Sequence, residues 1–257
     1  TVLEVHNLSA SYNRKPVLWD IDFRLKGGQL IGIVGPNGSG KTTLLRNIMG
    51  LMEADSGYVR LFGQDLNKNY FDDALEQLKR RGPDAKGTWF DNKVFLGSRR
   101  LAIFDLNERS NQPLHSIDGR FTIVYNGEIY NYEILKTDLE SKGVTFVTDS
   151  DTEVLLNLFS IYKEKCLEFL NGMFAFAVLD NSNGELFIAR DRIGIKPLYY
   201  HSRENFFAFA SDLKSFLVCE NISKNISQDA ILQFLYFDYV PQPKTIYDNI
   251  YKLLPGH

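Results

Sequence analysis

Cysteine is scarce in this chain: two residues in 257, Cys166 and Cys219. That is too few for a disulfide framework, and neither sits in a metal-ligand spacing, so a cytoplasmic, reducing location is the expectation. Long apolar runs are also missing. None approaches the roughly 18 residues that a membrane span requires, which argues against direct membrane insertion. An excess of one charge is absent too: 29 Lys and Arg stand against 32 Asp and Glu, a net charge of -3. The first 66 residues hold 7 basic and 6 acidic side chains and the remainder 22 and 26. There is no basic arm, so nucleic acid is not expected as the main partner. The opening Thr1-Val2-Leu3-Glu4 has neither the charged nor the apolar region of a signal peptide, and it lacks Met. It reads as a processed or excised chain. What remains, 44% hydrophobic and 24% charged residues, is the composition of a soluble globular protein.

The clearest local signal lies near the start. Leu30-Ile31-Gly32-Ile33-Val34 reads as a fully buried parallel strand, and Gly35-Pro36-Asn37-Gly38-Ser39-Gly40-Lys41-Thr42-Thr43 follows it directly. This is the G-x-x-x-x-G-K-[ST] loop between a strand and a helix expected over 42–49. The glycines let successive N–H groups turn inward around a polyphosphate, and the helix start adds its positive dipole end. Lys41 suits the β/γ oxygens, and the Thr42 hydroxyl is the candidate Mg²⁺ ligand.

The surroundings extend the pattern: Leu3-Glu4-Val5, Ser11-Tyr12-Asn13, Gly27-Gly28-Gln29-Leu30, Asp55-Ser56-Gly57 and Leu61-Phe62-Gly63-Gln64-Asp65-Leu66. Residues 1–66 resemble the opening of the ATP-binding subunit of an ABC transporter. That resemblance implies adenine stacking on Tyr12, ATP and Mg²⁺ as cofactors, and a parent that docks on a membrane permease. The resemblance ends there. A Gln loop, an LSGGQ-type signature, an apolar strand ending in Asp-Glu and a switch His are not found. Ala175–Asp180 imitates the apolar strand, but Asn181 follows it where the catalytic Glu would stand.

Beyond residue 66 the periodicity changes. Phe71, Leu75 and Leu78 fall at helical spacing over 67–79, and Gly82-Pro83 stops the helix. Short strands follow over 121–125, 144–147, 173–179, 185–190, 197–200 and 206–210, with Asn183-Gly184 as a hairpin turn. A helix is expected from Asn131 to Gly143. Another begins at Ser150-Asp151-Thr152-Glu153, a capping box.

Ordered motifs run through this region: Arg81-Gly82-Pro83-Asp84, Arg99-Arg100-Leu101-Ala102-Ile103, Asn126-Gly127-Glu128-Ile129-Tyr130-Asn131, Ser150-Asp151-Thr152-Glu153, Asn171-Gly172-Met173-Phe174 and Ala189-Arg190-Asp191-Arg192-Ile193-Gly194. Residues 68–257 resemble the glutamine-hydrolysing domain of the asparagine-synthetase family, an N-terminal-nucleophile αββα sandwich. The resemblance implies that Arg100 clamps the α-carboxylate of glutamine and that Asp151 and Glu128 hold its ammonium end. Asn126 and the Gly127 N–H would form the oxyanion hole. Taken singly, Arg100 could be a surface ion pair, Asp151 only a cap and Gly127 only a turn.

The family's reaction needs an N-terminal Cys in a Cys-Gly-Ile-type opening, and none occurs. Cys166 and Cys219 carry no free α-amine and read as small buried side chains. Thr1 is rejected as a substitute nucleophile because it opens the first ABC-like strand. The expected fold is therefore mixed α/β: a truncated P-loop segment, 1–66, joined to an incomplete αββα glutaminase, 67–257. The favoured functional reading is a chimera with no completed catalysis. A glutamine- or nucleotide-binding module and an active amidotransferase stand as alternatives.

Overall fold

The computed structural model describes residues 2–12, 15–28, 32–49, 52, 54–61, 64–65, 70–91, 94–101, 107–204, 206–219 and 222–257. Thr1, Asn13, Gln29 to Ile31, Gly50-Leu51, Phe62-Gly63, the expected junction from Leu66 to Asn69, and Ala102-Ile103 lie outside them. The chain divides into two compact units, Thr1–Asn69 and Tyr70–His257.

The first unit contains strands β1 (Leu3–Tyr12) and β2 (Lys15–Leu25), helix α1 (Lys41–Ile48), and strands β3 (Ser56–Leu61) and β4 (Gln64–Asp65). The strands form one antiparallel sheet in the order β2-β1-β3-β4. In β1 the buried residues are Leu3, Val5, Leu8 and Ala10. A register shift between Val5 and Leu8, with Asn7 at φ 47°, adds one residue to the alternation and returns the apolar set to the core. Gly57 lies against this bulge, and a Cβ there would come within 2.2 Å of the Asn7 carbonyl oxygen. Leu18, Leu44 and Val59 complete the core.

The buried parallel strand expected over 30–34 is corrected by the structure. Leu30 and Ile31 lie outside the described residues, whereas Gly32, Ile33 and Val34 have no ladder and Val34 is 94% exposed. A parallel strand depends on neighbours at both edges and helices on both faces. The described strands of this unit supply only an antiparallel sheet.

The second unit opens with α2 (Tyr70–Gln77) and a hairpin of β5 (Ala85–Phe90) and β6 (Phe95–Arg100). Then come β7 (Leu114–His115), β8 (Phe121–Ile129), α3 (Tyr132–Ser141), α4 (Asp151–Tyr162), β9 (Gly172–Asp180) and β10 (Glu185–Arg190). Last are β11 (Tyr199–Arg203), β12 (Phe206–Ala210), α5 (Lys214–Leu217), α6 (Gln228–Phe237) and β13 (Tyr251–Lys252). The central sheet runs β10-β9-β8-β7. One face carries Phe121, Ile123, Tyr125, Phe174, Phe176 and Val178 against Leu135 and Leu139 of α3 and Val154, Leu155, Leu158 and Phe159 of α4. The opposite face puts Val124, Ala177 and Leu179 against Leu96 of β6, with Trp89 and Phe209 beside them.

The second β layer is in two pieces, β5-β6 and β12-β11-β13. Outside it lie α2, whose Phe71 stacks on Phe95 at 4.2 Å, and α5, whose Ser215 hydroxyl donates to the Ala74 carbonyl at 3.1 Å. The layers read helix, sheet, split sheet, helix.

Two local expectations change here. Residues 144–147 form no strand: the N–H groups of Val147 and Thr148 donate to the Glu153 carboxylate at 2.9 and 2.6 Å. Glu153 thus reaches past the cap residue, while Ser150 caps α4 by accepting from the Glu153 N–H. The strand expected over 197–200 also starts at Tyr199 rather than Pro197.

Candidate active site

Strand β8 runs four residues past the expected end at Tyr125, and that extension builds the site. Asn126 pairs with Ala175, Gly127 with Phe174 and Glu128 with Met173 on β9. Gly127 is therefore a strand residue, not a turn. Its place is dictated by close approach, because a Cβ would meet the Met173 carbonyl oxygen at 2.3 Å and the Phe174 Cα at 2.8 Å.

Asn126, Gly127 and Glu128 open onto a cavity of about 1050 Å³, which Arg100 at the end of β6 and Asp151 at the start of α4 also line. All five residues singled out in the sequence for glutamine thus border one space. Arg100 donates to the Asn107 carbonyl at 3.3 Å and to Asn111 Oδ1 at 3.1 Å, bonds that fix its fork at the rim. The Asn126 Nδ2 group is buried without a hydrogen-bond partner, a donor left without an acceptor.

Asp151 is buried at the N-terminal turn of α4. Its Oδ2 accepts from the Tyr125 hydroxyl at 2.7 Å and from the Ile129 N–H at 3.1 Å. Burial raises its pKa, opposed by those hydrogen bonds, and the net shift is upward. Tyr125 is in turn pushed well above the ordinary phenol range, by burial first and then by the Asp151 charge. Gln112 ties the same parts together, accepting from the Tyr125 N–H at 2.7 Å and donating to Thr152 Oγ1 at 3.3 Å. Sequence reading missed Tyr125 and Gln112. The available signal for Tyr125 was a phenol hydroxyl in a largely apolar stretch, which needs a polar partner once buried.

The motif around Asp191 serves a different purpose. Its carboxylate accepts from the N–H groups of Phe174, Ile193, Gly194, Ile195 and Lys196, so it gathers a loop onto β9. Arg190 donates to the carbonyls of Gly194, Lys196 and Leu253.

Of the two thiols, Cys166 is buried in the helix-side core and burial pushes its pKa up to about 12. Cys219 lies beyond α5 on the cavity wall, and burial raises its pKa as well. Neither is an activated thiolate. Among the described residues no group of three or more His, Cys, Asp or Glu side chains could hold a metal ion, and no helix is long and apolar enough to cross a membrane.

The phosphate-loop residues lie in the first unit. Gly38 and Gly40 adopt φ 82° and 85°, and Gly40 caps α1. The Lys41 ammonium donates to the carbonyls of Gly35 and Pro36, each at 2.7 Å, and to Ser39 Oγ at 3.4 Å. Asn37 and Thr42 are exposed, Thr43 is half-buried, and Tyr12 is 53% exposed at the end of β1. This arrangement presents a Gly-rich turn and one cation at a helix start, groups that fit an anion.

A family model for the glutamine amidotransferase domain matches residues 56–257. The chain belongs to that family. This glutamine amidotransferase domain is 44% identical over 181 residues to the glutamine-hydrolyzing asparagine synthetase 1 of Bacillus subtilis (strain 168), an alignment covering 70% of this chain and 28% of that relative. It therefore spans well under half the length of that relative.

Among solved structures, the glutamine phosphoribosylpyrophosphate amidotransferase of B. subtilis is 24% identical. It covers 58% of this chain and 40% of its own, at a TM-score of 0.48. An ATP-binding subunit of an ABC transporter is 34% identical over 29% of this chain and 32% of its own, at a TM-score of 0.26. Neither superposition is close enough to carry an argument. The amidotransferase assignment rests on the family match and the sequence relatives; the ABC and chimera readings gain no such support.

Proposed function

We propose that the second unit binds glutamine and, when a thiolate is delivered to it, hydrolyses it to glutamate and ammonia. The observation that carries this reading is the convergence of Arg100, Asn126, Gly127, Glu128 and Asp151 on one cavity. Arg100 receives the α-carboxylate as a fork of donors, while Glu128 and Asp151 supply acceptors for the ammonium. Attack of a thiolate on the side-chain amide moves charge onto the carbonyl oxygen, where the unpartnered Asn126 Nδ2 and the Gly127 N–H are the donors. Ammonia leaves with a proton, and water then opens the thioester to glutamate and returns the thiol. Neither Cys166 nor Cys219 is activated for that attack.

Calorimetric titration tests the binding. Glutamine should bind the full chain, and Arg100→Ala should weaken binding by about tenfold to a hundredfold, the loss of a charge-assisted bidentate contact. Equal affinities in the two proteins would refute the reading.

The loop of the first unit favours a second reading of its own, polyphosphate binding by an ABC-derived segment joined to the amidotransferase. It is supported by the positive φ of Gly38 and Gly40 beside the Lys41 ammonium. Residues 35–43 with Tyr12 would hold Mg-ATP, with Thr42 on the metal and no residue to orient an attacking water. Titration with Mg-ATP against a Lys41→Ala control tests it; heat from both proteins alike would remove it.

A further inference from the structure

Helix α6 turns its apolar side to solvent. A surface helix ordinarily points its apolar stripe at the core and its charges outward, as α3 does by burying Leu135 and Leu139 and exposing Glu133, Asp138 and Glu140. In α6 only Ala230 is buried. Its outward face carries Ile231, Leu232, Leu235 and Tyr236, and Tyr239 continues the stripe just past the C-cap. Leu232 is 66% exposed, Leu235 74% and Tyr236 82%. At about 100° per residue, Ile231 to Tyr236 leave about 140° of the helix circumference without a charge. The carboxylates Asp229 and Asp238 stand at its two ends.

The size of this face decides what it can be. With about 150–250 Å² for a whole aromatic side chain and somewhat less for Leu or Ile, the five outward residues expose roughly 600 Å². The flanking Phe234 and Phe237, each about half exposed, add about 200 Å². The largest apolar patch on a typical monomer is about 300–600 Å². Each partner in a stable complex contributes about 800 Å². The α6 face therefore has the area of one half of a dimer interface.

We propose that α6 is a self-association surface: two copies of this chain pack α6 against α6, antiparallel across a two-fold axis. The surface is a convex ridge rather than a groove, and a second helix packs its own ridges into the grooves between these side chains. An isologous pair covers the stripe on both copies at once, which a smaller ligand would not do. Charge agrees with the antiparallel sense. With the crossing at mid-helix, Asp229 and the Lys244 ammonium that it holds at 3.1 Å lie opposite Asp238 of the partner subunit, and the two helix dipoles oppose each other. Leu232 of each copy then faces Leu235 of the partner subunit. A lipid surface is the poorer occupant, because α6 contains no Lys or Arg to meet headgroups and is flanked by carboxylates. The pairing does not depend on the glutaminase function.

Sedimentation velocity on the full chain tests the pairing. The wild type should be a dimer at about 50 µM, well above a micromolar Kd. Leu232→Glu and Leu235→Lys each put a charge into the seam and should weaken dimerisation by about a hundredfold. Both side chains are exposed within one copy, so each variant should keep its fold, checked by unchanged hydrogen exchange in β8 and β9. An equimolar mixture of the two variants should recover the dimer, because the introduced carboxylate then faces the introduced ammonium. A monomeric wild type overturns the proposal. So does a dimer that both variants leave intact, or a mixture that stays monomeric.

Discussion

Asp151 and Asp191 are two buried carboxylates with opposite titration behaviour, and the difference is the number of donors each receives. For Asp191 burial alone would raise the pKa, but the N–H groups of Lys196, Ile195, Gly194 and Ile193 outweigh it and hold the carboxyl below its usual value of 3.8. For Asp151 burial dominates and the shift is upward. Linkage gives each a sign. The contribution of Asp191 is present above about pH 3.8 and is lost as pH falls through its folded pKa. That of Asp151 is greatest below about pH 3.8 and is lost as pH rises through its folded pKa. Asp191→Asn should therefore cost about 3 kcal/mol at neutral pH, the loss of several charge-assisted hydrogen bonds, with the deficit closing in acid. The cost of Asp151→Asn should instead be largest in acid and shrink toward neutral pH. Urea unfolding across pH 3 to 7 checks both, and parallel curves for the two variants would contradict this account.

At the scale of the element, β8 shows what local sequence can and cannot settle. Its apolar stretch from Phe121 to Tyr125 marks a strand by composition, but Asn126-Gly127-Glu128 looks like a turn. The strand continues because β9 offers a partner at every position as far as Ile129, and pairing across 43 residues is not a local property. Gly127 tolerates no side chain there, so Gly127→Ala must push β9 away. It should lower stability by about 2–4 kcal/mol and weaken glutamine binding through the displaced Asn126. Thermal unfolding and titration together would detect this, and a variant with wild-type values for both would sink it. The helices were easier to read. Capping at Ser150 and the spacing of Val154, Leu155 and Leu158 located α4 from the sequence alone. Val144 and Phe146 gave a false strand signal: both pack singly against the helix-side core, while the neighbouring N–H groups go to Glu153. Arg100, Asn126, Gly127, Glu128 and Asp151 were singled out by the resemblance, and the fold brings them to one cavity. The Tyr125–Asp151 and Gln112 links were not, since they join segments that only the folded sheet brings together.

At the scale of the whole molecule the question is how many cooperative structures one chain contains. The core of the first unit is Leu3, Val5, Leu8, Ala10, Leu18, Leu44 and Val59, drawn from β1, β2, α1 and β3. The clusters of the second unit draw on residues 89 to 250. A unit of 69 residues buries only about 60% of the surface its unfolded chain exposes, less than a larger domain does, and has a stability of roughly 3–5 kcal/mol at best. Leu8 is fully buried, and Leu8→Ala should remove about 2–5 kcal/mol, enough to unfold the first unit at ordinary temperature. The larger second unit has no side chain in that cluster, so its transition should stay in place. Calorimetry of the wild type should resolve two transitions and that of Leu8→Ala one. Exchange in β8 and β9 should be unchanged in the variant, and glutamine affinity should be retained. A single wild-type transition that moves as a whole in Leu8→Ala would mean instead that the two cores share one folding equilibrium. In that case the amidotransferase unit would depend on the segment that precedes it.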